Sequence, residues 1–112
     1  AEKKAEIGYE DFEKLQFRVG EILSAEEVRK SKKLLRFEVL VGEEKLQILS
    51  GIKSFYRPEE LVGKKVMVLC NLKPRMIAGY ESQGMILSAE GHGGELALMT
   101  PMRDMPSGAG IC

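Results

Sequence analysis

Apolar and polar positions alternate most regularly between Leu35 and Ser50. Leu35, Phe37, Val39 and Val41 share one parity while Arg36, Glu38 and Leu40 take the other, the pattern of a half-buried strand. After a turn at Gly42-Glu43-Glu44, Leu46, Ile48 and Ser50 continue the alternation, so the two runs predict a hairpin. Upstream, residues 17–28 read as one long, bent strand. Phe17 and Val19 have one parity and Ile22 the other, and Gly20 between them marks the expected bulge. Val66 to Cys70 is apolar at every position, which predicts a strand buried on both sides or covered at one. Met85 to Ala89 and Glu95 to Thr100 predict two further strands around the turn Glu90-Gly91-His92-Gly93-Gly94.

The period breaks between Gly51 and Gly63. Pro58 at a first helical position, followed by Glu59 and Glu60, favours a short helix that Gly63 stops. Tyr9-Glu10-Asp11-Phe12 predicts a helical turn whose aromatics pack on the strands. A bent strand, a hairpin pair, one short helix and two more strands is the order of an all-β, five-stranded OB-fold barrel. The expected division is a flexible segment 1–8, a barrel 9–90, and a C-terminal strand and tail 91–112. That tail carries Leu96, Leu98, Met99, Met102 and Met105. An apolar strip of this size needs a cover.

Charge changes the picture more than composition does. The formal net charge is zero, yet residues 28–80 hold twelve Lys/Arg against five Asp/Glu. The flanking segments are acidic, so a cationic face for a polyanion is one reading and interleaved surface charge is the other. No apolar run reaches the roughly 20 residues of a membrane-crossing helix. The N-terminal residues lack a secretory pattern, and two cysteines without a pairing framework fit the cytoplasm. His92 stands alone in a glycine turn and Cys70 in a strand, so neither a metal nor a cofactor is expected. No nucleophile is paired with a base, which argues against an enzyme.

The chemistry concentrates in Asn71–Leu87, expected to be a loop of dictated geometry around Pro74, Gly79 and Gly84. Lys73 and Arg75 flank Pro74 and project to one side of an extended backbone, which suits phosphate contacts. Lys32 and Lys33 lead a second cationic cluster over residues 29–36, in which Arg36 either joins the face or pairs with Glu38. Ser82 and Gln83 either hydrogen-bond a ligand or brace the loop. Met85 offers an apolar contact to a base, Lys53 extends the positive face, and Asn71 is expected to fix the loop. Tyr56 and Tyr80 are open between stacking on bases and packing, whereas Phe55 is expected in the core.

Taken together, Phe17-Arg18-Val19-Gly20-Glu21-Ile22, Lys33-Leu34-Leu35, Ser50-Gly51-Ile52, Pro58–Gly63, Asn71-Leu72-Lys73-Pro74-Arg75 and Glu81-Ser82-Gln83-Gly84-Met85 resemble a known family. It is the tRNA-binding domain found at the C-terminus of methionyl-tRNA synthetases and as free-standing proteins. The resemblance spans Tyr9 to Gly110. It implies an OB-fold that dimerises through its C-terminal extension, which makes Leu96, Leu98, Met99, Met102 and Met105 the expected interface residues. It also implies a domain that binds tRNA by shape near the outer corner of the L and is not itself catalytic. It also implies a synthetase catalytic region as a partner in cis. Met76 and Ala78 depart from the family's further cations, and Lys32 stands where an acid is common. The CsaA-type export chaperones share the fold and the dimer and are the alternative. Their loop at the positions of Glu81–Met85 differs, and this chain carries the tRNA-binding form.

Overall fold

A computed structural model describes residues 3–112. Ten strands and two short helices follow in the order α1 (Tyr9–Glu13), β1 (Phe17–Glu27), β2 (Leu35–Val41), β3 (Glu44–Ser50), α2 (Pro58–Leu61), β4 (Lys65–Leu69), β5 (Arg75–Ile77), β6 (Tyr80–Ser82), β7 (Met85–Ile86), β8 (Ser88–Glu90), β9 (Leu96–Leu98) and β10 (Gly110–Ile111). The main sheet runs β3-β2-β1-β4-β7, all antiparallel, and it curls into an OB-like barrel. The predicted hairpin is present in register, from Leu35 opposite Ser50 to Val41 opposite Glu44. Its alternation directs Leu35, Phe37, Val39 and Ile48 inward. With Ile22, Val66 and Val68 they form the fully buried centre of the core.

β1 is long and bent as expected, but the bend is not at Gly20. The register against β2 shifts between Ile22 and Ser24, so Leu23 is the extra residue, and both Ile22 and Ala25 reach the core. Gly20 serves a different need. A Cβ there would lie 2.6 Å from Val39 Cγ1 and 2.9 Å from Val68 Cγ2, so glycine lets the strands cross inside a tight barrel. Val19 is also buried, because the C-terminal tail covers the opposite face: the Val19 N–H donates to the Ala109 carbonyl at 2.9 Å, and the Gly108 N–H donates to the Val19 carbonyl at 2.7 Å. β4 divides in the same way, with Val66 and Val68 inside and Met67 and Leu69 half-buried outside.

The short helix begins at Pro58 as predicted. It ends on Gly63, whose φ of +87° is left-handed and whose N–H donates to the Ile22 carbonyl at 2.7 Å. The first helix forms with Phe12 half-buried, but Tyr9 does not pack on the strands. Tyr9 is 70% exposed and meets Phe12 at a ring distance of 5.9 Å. Phe55, expected in the core, is exposed on the loop before α2, while Tyr56 packs against the core and its hydroxyl accepts from the Leu98 N–H at 3.1 Å. The run from Met85 to Ala89 breaks into β7 and β8, and β8 pairs with β9. The tail then returns as β10 beside β1, with Phe17 opposite Ile111. Residues 110–111 thereby belong to the same sheet as the barrel strands.

Candidate nucleic-acid interface

The stretch predicted as a loop is in fact a β-hairpin. β5 and β6 pair with Arg75 opposite Ser82 and Ile77 opposite Tyr80. Between them Ala78 (φ +52°) and Gly79 (φ +84°) both occupy left-handed backbone. Two consecutive positive φ values are the requirement of the tight hairpin turn whose twist matches that of its strands. The sequence signal was masked because the position before Gly79 is alanine rather than asparagine or aspartate. Asn71 holds the base of the segment: its Oδ1 accepts from the Gln16 N–H at 2.9 Å and its Nδ2 donates to the Lys14 carbonyl at 2.6 Å. That is the fixing role expected of it.

Ser82 and Gln83 are fasteners. Ser82 is 4% exposed; its hydroxyl accepts from the buried Leu49 N–H at 3.1 Å and donates to the Gly84 carbonyl at 3.3 Å. Gln83 Oε1 accepts from the Gln47 N–H at 2.7 Å, and the Gln83 N–H donates to the Gln47 carbonyl at 2.7 Å. The Gln47 side chain returns a bond from Nε2 to the Glu81 carbonyl at 2.8 Å. Side chains thus complete the seam between β3 and the β6–β7 segment, where a regular ladder is missing. The Ser82 hydroxyl is buried and its single O–H is donated within the protein, so of its two open roles the geometry supports bracing.

The 75–82 hairpin stands across a groove from the β1–β2 connection. One cavity of about 560 Å³ is lined by Glu26, Glu27, Val28, Arg29, Lys30 and the hairpin residues Ala78, Gly79 and Tyr80. A second, of about 320 Å³, is lined among others by Glu26, Arg36, Glu38, Lys45, Gln47 and Gln83. Arg36 lies between these neighbours. Its guanidinium donates to Glu26 Oε1 at 2.8 Å and its Cζ sits 4.8 Å from the centre of the Tyr80 ring. Arg36 does not pair with Glu38, one of its two open readings, because the one-residue bulge brings Glu26, across from Arg36, into reach instead.

The remaining predicted residues divide into exposed and engaged ones. Lys32, Lys33, Lys73 and Arg75 are exposed, and among the described residues none has a carboxylate within ion-pair distance. Ser31 fixes the first pair by accepting from the Lys33 and Leu34 N–H groups, each at 3.1 Å. Lys53 is engaged: its ammonium donates to the Ser31 carbonyl at 3.2 Å and lies 3.7 Å from Glu27. It therefore holds the cationic loop from behind. Met85 is exposed on β7. Of the tail residues, Leu96 and Leu98 turn half-buried onto the core, while Met99, Met102 and Met105 remain exposed.

Sequence reading placed Arg29 and Lys30 in the cationic cluster without singling them out, and passed over Lys45 and Gln47 as site residues. The signal was available for the last two, since they share the outward parity of β3, and Gln47 lies opposite Glu38. Among the described residues the one titratable group clearly displaced is Cys70, whose thiol is pushed up by burial, opposed by the nearby Arg18 charge. Among the described residues no group of three or more His, Cys, Asp or Glu side chains is arranged to hold a metal, and no helix is long and apolar enough to cross a membrane.

A small curled barrel with exposed cations beside a groove defines a class of polyanion-binding modules. The family is specific: residues 17–110 match the tRNA binding domain, and the chain belongs to that family. It is 52% identical over 111 residues to a methionine–tRNA ligase of Methanococcus aeolicus, covering 99% of this chain but 16% of the ligase. The chain thus spans about one sixth of the length of such relatives. Among solved structures, the MetRS-related protein of Pyrococcus horikoshii superposes with a TM-score of 0.91 at 37% identity, over 97% of this chain and 100% of that one. The chaperone CsaA of Bacillus anthracis superposes with a TM-score of 0.87 at 30% identity, over 96% and 100% of the two chains.

Proposed function

We propose that this chain binds tRNA by shape and charge, as a homodimer, and that in a longer protein it serves a methionyl-tRNA synthetase catalytic region in cis. The carrying observation is the groove between the Val28–Lys33 connection and the 75–82 hairpin, with carboxylate-free cations on both elements. Lys32, Lys33, Lys73 and Arg75 engage phosphates, joined by Arg29 and Lys30 at the groove wall, and Met85 makes an apolar contact. Ser82 and Gln83 hold the barrel that presents them, and Lys53 positions the Lys32–Lys33 loop. This reading involves no covalent step.

A salt titration with bulk tRNA and a single-stranded RNA of matched length tests it. We expect tRNA to bind more tightly and to weaken as salt rises. Lys73→Ala/Arg75→Ala should lower the slope of log affinity against log salt by about 1 per cation removed. Failure of either RNA to bind at low salt would remove the reading.

The second reading, a CsaA-like site for unfolded peptide, draws on the CsaA superposition and on the exposed Met99, Met102 and Met105. Suppression of aggregation of a denatured test protein, unaffected by Lys73→Ala/Arg75→Ala, would favour it over the first.

A further inference from the structure

Arg36 and Tyr80 form the partition between the two cavities. Arg36 lines the smaller and Tyr80 the larger, while Glu26 borders both and holds the guanidinium in place. The 4.8 Å approach of the guanidinium to the ring fixes the aromatic on one side. Tyr80 is half-buried, so part of the ring is still open where it walls the larger cavity. That cavity has two kinds of charge. Glu26 and Glu27 lie along it with exposed carboxylates, and Arg29 and Lys30 lie at the next positions of the same wall. The first pair, held by Arg36 and Lys53, offers carboxylate acceptors that cannot bond a phosphate, whereas the second draws one.

The part of a nucleotide that suits the carboxylate end is therefore its uncharged base, whose exocyclic amino groups donate hydrogen bonds. At about 560 Å³ the space lies within the ~300–1,000 Å³ typical of small-molecule sites. We propose that the larger cavity is a subsite for one unpaired nucleobase, stacked on Tyr80, with its phosphate left outside at Arg29 and Lys30. This rests on the nucleic-acid reading above and specifies which part of the RNA enters the groove. An A-form duplex cannot supply such a base without unstacking it, so the subsite selects RNA with an unpaired nucleotide.

The chain contains no tryptophan, so Tyr80→Trp introduces a single reporter at the stacking position. We expect its fluorescence to be quenched on binding tRNA and to stay unchanged with a perfectly paired RNA duplex. Tyr80→Leu should weaken tRNA binding about 5- to 100-fold, with the salt slope unchanged because no charge is removed. Tyr80→Phe, which keeps the ring, should bind as wild type does.

The proposal is overturned if Tyr80→Leu binds tRNA as tightly as wild type, or loses tRNA and duplex equally. It is also overturned if Tyr80→Trp binds tRNA without quenching, an arm that survives even if the leucine variant does not fold. Failure of the wild-type protein to bind any RNA sinks the broader function instead, so the two failures are distinguishable.

Discussion

Ala78 is the residue whose backbone least suits its side chain. A φ of +52° costs an L-residue about 1–2 kcal/mol, and glycine avoids that while losing about 0.5–1 kcal/mol of chain entropy. Ala78→Gly should therefore raise stability by roughly 0.5–1 kcal/mol, read as a higher midpoint in chemical denaturation. Gly20→Ala should do the opposite. Its Cβ would press on Val39 and Val68, neither of which is a flexible chain end, and overpacking of this kind costs about 1–3 kcal/mol. Cys70 and Cys112 differ in chemistry as well as place. Burial raises the Cys70 thiol and lowers its thiolate fraction, whereas Cys112 is exposed. With iodoacetamide near neutral pH, Cys112 should be alkylated first and Cys70 only slowly; peptide mapping by mass spectrometry over a time course checks this.

At the scale of elements, legibility followed periodicity. β2 and β3 were readable because one of their faces is buried and the other wet, so Leu35, Phe37 and Val39 imposed a strict period of two. α2 was readable from Pro58 and Gly63. The 75–82 hairpin was not, because three-residue strands offer too few positions to establish a period and Ala78 hides the turn. β10 was hidden for a similar reason: two residues pair with β1 only because β2 has already diverged from it. The site was legible at its cations and not at its groove. Lys32, Lys33, Lys73 and Arg75 stand out in a sequence, but the Arg36–Tyr80–Glu26 arrangement depends on a one-residue bulge that no local pattern placed correctly. Of the two roles the sequence leaves open for Ser82, its hydrogen bonds support the bracing one. Ser82→Ala should cost about 1–3 kcal/mol, the penalty for leaving the buried Leu49 N–H without a partner. Any change in RNA affinity should follow from lost folding, so the salt slope of the folded fraction should stay put.

At the scale of the molecule, the tail is bound into the barrel and also offers an apolar surface. Lys65 anchors it through Asp104 at 3.1 Å and the Met105 carbonyl at 2.7 Å, while Met102 is fully exposed at 101%. If Met99, Met102 and Met105 meet a second copy, Met102→Lys/Met105→Lys should shift the sedimentation coefficient to that of a 12.5 kDa monomer without altering the circular dichroism spectrum. An unchanged sedimentation coefficient would count against that use of the tail.

The seam between β3 and the β6–β7 segment has a further consequence for how ligand and barrel act on one another. Few main-chain bonds cross that line, and Gln47 and Gln83, which fasten it, also line the smaller cavity. RNA lying over those two amides would act as a splint on a line of the barrel fastened largely by side chains. Its occupancy would then be recorded inside the protein, as slower amide hydrogen exchange at Gln47 and Leu49 than in the free chain.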